Sequence, residues 1–340
     1  MKLSELVDRW LHWLTSASHN LRSFAVLRIL YGLALFATYV PSWQDRSLIW
    51  GASSFWVDPE AKRRGYFTFD LLFPKDDRLV FDVMFLALTA LIVLFIVGYR
   101  ARLVTILLLV LVVSIQSNNG YVLNGGDTLI RITLLFLLFA DLSAHYSIDA
   151  WRAKRRAARS TGRDRAKRAL VPQTLVHGAH NLALVLCCFQ IVVVYTVSGI
   201  WKLTGDEWPA GTALFYALRI DTFTVYPMIN EVLWQSTLLI YVATFIALWT
   251  QTLFPVLVLW RPTRIFALIA LVFMHTGIGL LLGLWPFSLV MIALDMLFIR
   301  DATWERVTAR LQGTALWQRG SDAASDLRER MPLPRVLQKR

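Results

Sequence analysis

Eight apolar runs, at residues 24–41, 80–98, 103–117, 128–143, 179–200, 233–258, 264–283 and 286–299, decide what this chain can become. A helix needs about 20 apolar residues to cross the hydrocarbon core of a bilayer, and most of these runs approach or exceed that length. The expected fold class is all-α, a polytopic membrane bundle of about eight transmembrane helices. The shorter runs 103–117 and 286–299 are expected to be tilted, buried or partly re-entrant. Composition agrees, because 56% hydrophobic residues with 14 Trp and 20 Phe exceed what one soluble core can bury.

Alternating the runs from a cytoplasmic N-terminus puts 25 of the 35 Lys and Arg residues inside, 8 outside and 2, Arg28 and Arg131, within spans. The positive-inside rule then predicts a multi-pass protein of the cell membrane with both termini cytoplasmic. The net charge of +12 gathers in Arg152–Arg168, within a loop at 150–176, and in the segment Arg300–Arg340. At a membrane surface such segments contact anionic lipid headgroups, so no nucleic-acid partner is expected. Three parts follow. Residues 1–19 carry Leu3, Leu6, Val7, Trp10, Leu11 and Leu14 at helical spacing, which suits a helix lying on the membrane surface. Residues 20–300 form the transmembrane domain, and 301–340 a basic tail in which Met331-Pro332-Leu333-Pro334 breaks the helical pattern. On this topology 42–79, 118–127 and 201–232 share the outer side and can assemble one extracytoplasmic site. The sequence has no internal repeat and no paired broken helices of the transporter kind.

Chemistry is sought among polar groups that a membrane should exclude. The almost uncharged stretch Leu182–Ile200 runs into Trp201-Lys202-Leu203-Thr204-Gly205-Asp206-Glu207-Trp208-Pro209. An amine at that depth is partly stripped of water, which favours its neutral, basic form. The other reading is an interfacial anchor, since lysines snorkel and tryptophans line the headgroup level. Arg28 lies about one turn into the first run, where a charge near a helix centre costs roughly 2.5–3.5 kcal/mol. It either snorkels to the cytoplasmic face or has an interior partner. Asp127 and Arg131 are four residues apart on one helix face, so they can pair, or Asp127 can cap the helix. His275 and Asp295 are intramembrane ionisable residues, hence functional suspects. Asp295 is one group that could neutralise Arg28.

Familiar catalytic patterns are missing: no Gly-x-Ser-x-Gly elbow, no His-Glu-x-x-His, no Cys-x-x-Cys, no phosphate loop and no dinucleotide fingerprint. His177 and His180 make an incomplete ligand set, so no metal is expected. Cys187 and Cys188 are adjacent inside an apolar run and read as reduced packing residues.

Four pieces, in this order, carry a resemblance: Leu27-Arg28-Ile29-Leu30-Tyr31-Gly32; Asn124-Gly125-Gly126-Asp127 leading to Asp141 and Tyr146-Ser147-Ile148-Asp149; Ser198-Gly199-Ile200-Trp201-Lys202-Leu203 with Trp208 and Gly211; and Phe273-Met274-His275 ahead of Trp285-Pro286-Phe287. Over about residues 20–300 the chain resembles the HTTM (horizontally transferred transmembrane) domain, the membrane part of vitamin K-dependent gamma-carboxylase. In that enzyme the lysine of the matching segment deprotonates vitamin K hydroquinone, and oxygen then converts the hydroquinone into a stronger base that activates glutamate for carboxylation. The resemblance places that lysine on Lys202 and implies a quinol as co-substrate. Trp201 and Trp208 are then weak candidates for holding it, with Asp127 and His275 positioning substrate or relaying protons. Where the carboxylase has a histidine after its asparagine this chain reads Gly125-Gly126-Asp127, so that role is vacant or has passed to Asp127. No counterpart of the lumenal domain of the carboxylase is expected within these 340 residues. In size the chain is more similar to bacterial members of the sporulation-delaying protein B type, which implies an accessory role in maturing or exporting a secreted peptide together with a small partner. Outer aromatic residues (Trp43, Trp50, Trp56, Trp201, Trp208, Phe215 and Tyr216) would then dock the peptide, or else anchor the interface. A transporter is the third reading, motivated by Arg28, Arg131, His275 and Asp295 alone.

Overall fold

A computed structural model describes residues 2–51, 54, 77–159 and 171–312. Trp56, most of the loop 42–79, residues 160–170 and the Met331–Pro334 break lie outside the described residues. Among those described there are helices and turns and no strand. The helices are α1 (Leu3–Ser16), α2 (Leu21–Tyr39), α3 (Arg78–Val97), α4 (Ala101–Asn118), α5 (Gly125–Leu137), α6 (Ile148–Arg159), α7 (Gln173–Leu203), α8 (Pro227–Gln235), α9 (Thr237–Thr252), α10 (Arg261–Leu282), α11 (Trp285–Asp295) and α12 (Asp301–Gln312), with short helical turns between several of them. Residues up to Phe298 form one compact unit, and α12 belongs to a second that begins at Ile299.

Every apolar run becomes helical, but the runs are not eight equal crossings. Five helices, α2, α3, α4, α7 and α10, are each long and apolar enough to cross a membrane, and α8 with α9 makes a sixth if the bent pair is one span. The run 103–117 is one continuous helix of 18 residues, whereas α5 has 13 and α11 has 11. Helices suit this setting because each satisfies its own amides where water is absent. The break between α8 and α9 was not legible as such: the two axes differ by 92°, and Ser236 at the junction is extended (φ −85°, ψ 94°) without a proline or glycine to announce it.

The central helix is α2, packed chiefly against α3 and α11. Its Phe24, Leu27, Tyr31, Ala34 and Leu35 are fully buried at the spacing of a helical face. Two ends of the bundle can be told apart. At one, Asn118 Nδ2 donates to the Trp50 carbonyl (3.2 Å) and Asn119 Nδ2 to the Ile49 carbonyl (2.7 Å), tying the segment after α2 to the end of α4. At the other, Asn20 Nδ2 donates to the Leu297 carbonyl (2.7 Å), and the Asn181 amide donates to the carbonyls of Trp13 (3.3 Å), Leu14 (2.8 Å) and Ala17 (2.7 Å). That last set satisfies C-terminal carbonyls of α1, which a helix end otherwise leaves bare, and it fastens α1 to the start of α7.

Arg28 belongs to this second end and does not snorkel. Its guanidinium is fully buried and donates to four carbonyls: Phe95 (2.6 Å), Ile96 (2.6 Å), Leu142 (3.1 Å) and Tyr146 (2.6 Å). Two of these close α3, so a cation meets the negative end of a helix. Hydrogen bonds to a charged group contribute about 1.5–3 kcal/mol each, so four of them offset the insertion cost of the charge. Gly98 makes the approach possible, because a Cβ there would lie 2.5 Å from Nη1 of Arg28, and its φ of +66° suits glycine. Asp295 is not among the partners of Arg28.

Candidate functional site

The face of α7 that carries Tyr195, Ser198 and Lys202 repeats at i, i+3 and i+7, so the three side chains line one ridge. Gly199 lies in the same turns and lets α9 come close. A Cβ on it would stand 2.6 Å from Thr252 Cα and 2.7 Å from Thr252 N, closer than a side chain allows. The backbone of α9 therefore lies directly against α7, which delivers Gln251 to the lysine. Lys202 Nζ donates to Ser198 Oγ (2.9 Å) and to Gln251 Oε1. Gln251 Nε2 in turn reaches Met274 Sδ (3.4 Å) on α10. The amine also lies 4.8 Å from the ring centroid of Trp208, a cation–π distance. Among the described residues no carboxylate lies within ion-pair distance of Lys202. Asp206 and Glu207, close in sequence, are exposed.

A second polar cluster lies one residue beyond Met274. Tyr195 Oη donates to Asp295 (3.1 and 3.0 Å to its two oxygens) and lies 3.0 Å from His275 Nε2. If Asp295 is ionised, the one tyrosine proton goes to it, Nε2 of His275 donates to Oη, and Nδ1 is left as an acceptor. That Nδ1 is buried and has no hydrogen-bond partner among the described residues, a state uncommon enough in folded proteins to call for a reason. Phe287 stands edge-on to the imidazole, with centroids 5.7 Å apart. Asp295, one group that could have neutralised Arg28, is instead the acceptor of this cluster.

At the start of α5 the capping alternative is the one that forms. Asn124 Oδ1 accepts from Gly126 N (2.7 Å), and Asp127 Oδ2 accepts from Asn124 N (2.8 Å), a reciprocal box. Asp127 Oδ1 accepts from Gln116 Nε2 (3.2 Å). Arg131 turns to Thr128 Oγ1 (3.4 Å), and among the described residues no ion pair joins it to Asp127. The structure thus brings Lys202 and Trp208 together and links them through Gln251 and Met274 to the element bearing His275. It leaves Arg28, Asp127 and Arg131 outside those contacts, and Trp201 points away with 72% of its surface exposed. Gln251 and Tyr195 were missed in the sequence. A glutamine between two threonines in an apolar run (Thr250-Gln251-Thr252), and a lone tyrosine in another, are the signals that could have found them. Cys187 and Cys188 are free, as adjacent cysteines in a helix should be.

Comparison with known proteins places the chain in a family. Residues 17–304 match the HTTM domain. A protein of Bacillus subtilis (strain 168) described as uncharacterized protein YitO is 26% identical over 227 residues, covering 62% of this chain and 64% of its own length. The chain therefore spans just under two thirds of that relative. No solved structure matches.

Proposed function

The chain belongs to the HTTM domain family, and from that premise we propose that it is an integral membrane enzyme in which Lys202 is the general base toward a membrane-soluble quinol. The observation that carries this reading is the lysine's company. Both of its acceptors, Ser198 and Gln251, are uncharged, so the amine can give up and regain a proton without breaking an ion pair. An anchoring lysine would keep its ammonium in water, whereas this one is turned inward under an indole. The residues present suit a quinol: an amine to take a phenolic proton and the Trp208 ring beside it. A quinol, once bound, supplies the acidic hydroxyl and the redox capacity that no side chain here has. Gln251 and Ser198 aim the amine, and Nδ1 of His275, in the tautomer that leaves it unprotonated, is a second acceptor for a relayed proton. Asp127, engaged in its cap, acts by fixing the start of α5. The proposed topology has eight membrane segments, the termini and basic segments cytoplasmic beside anionic headgroups, and the site facing outward.

Incubating the purified protein in lipid discs with a reduced menaquinone and following quinol consumption tests this. Lys202→Arg keeps charge and length but withholds an accessible neutral form, so turnover should fall to background. Full turnover by that variant would exclude the base role. A second reading, an accessory protein for a secreted peptide, draws on the exposed Trp201 in the last turn of α7 and the exposed Tyr216, Phe223 and Tyr226 between α7 and α8. Co-purification of a peptide or small partner, with no quinol turnover by the protein alone, would favour it.

A further inference from the structure

Away from Lys202, the start of α4 with Arg100, residues 140–143 and Asp149 border an open hollow of about 460 Å³ lined by Arg100, Arg102, Leu103, Asp141, Ser143 and Asp149 among others, a size that suits a small amphiphile's polar part. Its charges are mixed and incompletely used. Arg100 and Arg102 form no ion pair among the described residues, and both are exposed. Asp149 Oδ2 accepts from Ala101 N (3.0 Å), and Asp141 Oδ1 accepts from Ser143 N (2.9 Å) and Oγ (3.1 Å). Among the described residues each carboxylate therefore keeps one oxygen without a hydrogen-bond partner, although Asp149 also lies in the field of Arg28. A third cation stands close by: the Arg152 guanidinium lies 5.3 Å from the Tyr99 ring centroid, and that of Arg100 5.8 Å. From the hollow an apolar stripe leads along α4 through Leu103, Ile106, Leu107 and Val110, all exposed and spaced on one helical face.

We propose that this hollow binds the headgroup of a phospholipid that carries a primary ammonium, of the phosphatidylethanolamine class. The phosphate sits with Arg100 and Arg102, the ammonium takes the free oxygens of Asp141 and Asp149, and an acyl chain follows the stripe on α4. A purely anionic headgroup would meet two carboxylates, which repel it. A choline headgroup has the same charge but no N–H to donate. The site thus reads the headgroup's hydrogens as well as its charge, a selectivity built on unpaired polar groups. It does not depend on the chemistry at Lys202.

Native mass spectrometry of the detergent-solubilised full chain, offered equal amounts of phosphatidylethanolamine, phosphatidylcholine and phosphatidylglycerol with identical acyl chains, tests it. Retention of the ethanolamine lipid should exceed that of the choline lipid roughly tenfold, the effect of one charge-assisted hydrogen bond. Asp141→Asn keeps an oxygen for Ser143 and should bring the ethanolamine lipid down toward the choline lipid, while Arg102→Gln, at an exposed position, should weaken all three. Equal retention of the three lipids by the wild-type protein, or preference for phosphatidylglycerol, overturns the proposal whatever the variants do. Soluble glycerophosphoethanolamine that displaced the lipid at equal concentration would likewise overturn the role given to the stripe on α4.

Discussion

Arg28, fully buried, and Lys202, half-buried, are both turned into this bundle, and the structure treats them in opposite ways. Arg28 spends its donors on four backbone carbonyls drawn from α3 and from the stretch after α5. Those acceptors are fixed by the fold and cannot leave, so the guanidinium works as a buckle between three chain segments. Lys202 has two side-chain acceptors and an indole face, all of which can rotate. A cation is thus locked where backbone surrounds it on all sides and left able to move where side chains surround it in part, which is what the proposed base role of Lys202 requires.

The contrast can be broken most directly at Arg28. Arg28→Ala leaves four carbonyls bare and should destabilise the protein by about 3 kcal/mol or more, seen as loss of monodisperse protein in detergent. Arg28→Lys should recover only part of this, because an ammonium lacks the planar fork. A stable Arg28→Ala protein would end the distinction. Lys202→Ala is expected to do the reverse, keeping the melting temperature and lowering quinol turnover at least about 100-fold, as removal of a general base does. Gly199→Ala probes the scaffold of the site: its Cβ meets the Thr252 backbone, an overpacking cost of about 1–3 kcal/mol, and it should cut turnover by pushing Gln251 away from the amine. Asn124→Ala removes one half of the cap on α5 and should lower stability by ~1 kcal/mol, with activity nearly unchanged. A large loss of turnover there would mean that the Asn124–Asp127 turn belongs to the site.

What the sequence made legible was periodic or local. The apolar runs located the helices, and Asp127 after the Gly125-Gly126 turn announced a cap, though the cap residue itself is Asn124, because such signals are written within a few residues. The partners of Arg28 and Lys202 were not legible. Leu142 and Tyr146 accept through their carbonyls, which every residue has, and Gln251 is 49 residues from Lys202. The bend at Ser236 escaped for a related reason: it lacks a breaker residue, so packing rather than propensity sets it.

The helix α7 is 31 residues long, which at about 1.5 Å per residue gives a rod of about 46 Å, well beyond the thickness of a hydrocarbon core. Near one end Asn181 grips α1, and at the other stands Lys202, about 32 Å away along the axis by the same rise. A stiff rod pinned at two places, by α1 near Asn181 and by the α9 backbone at Gly199, cannot swing about either one. It therefore holds the amine at a fixed distance from the end of the bundle where α1 is clasped.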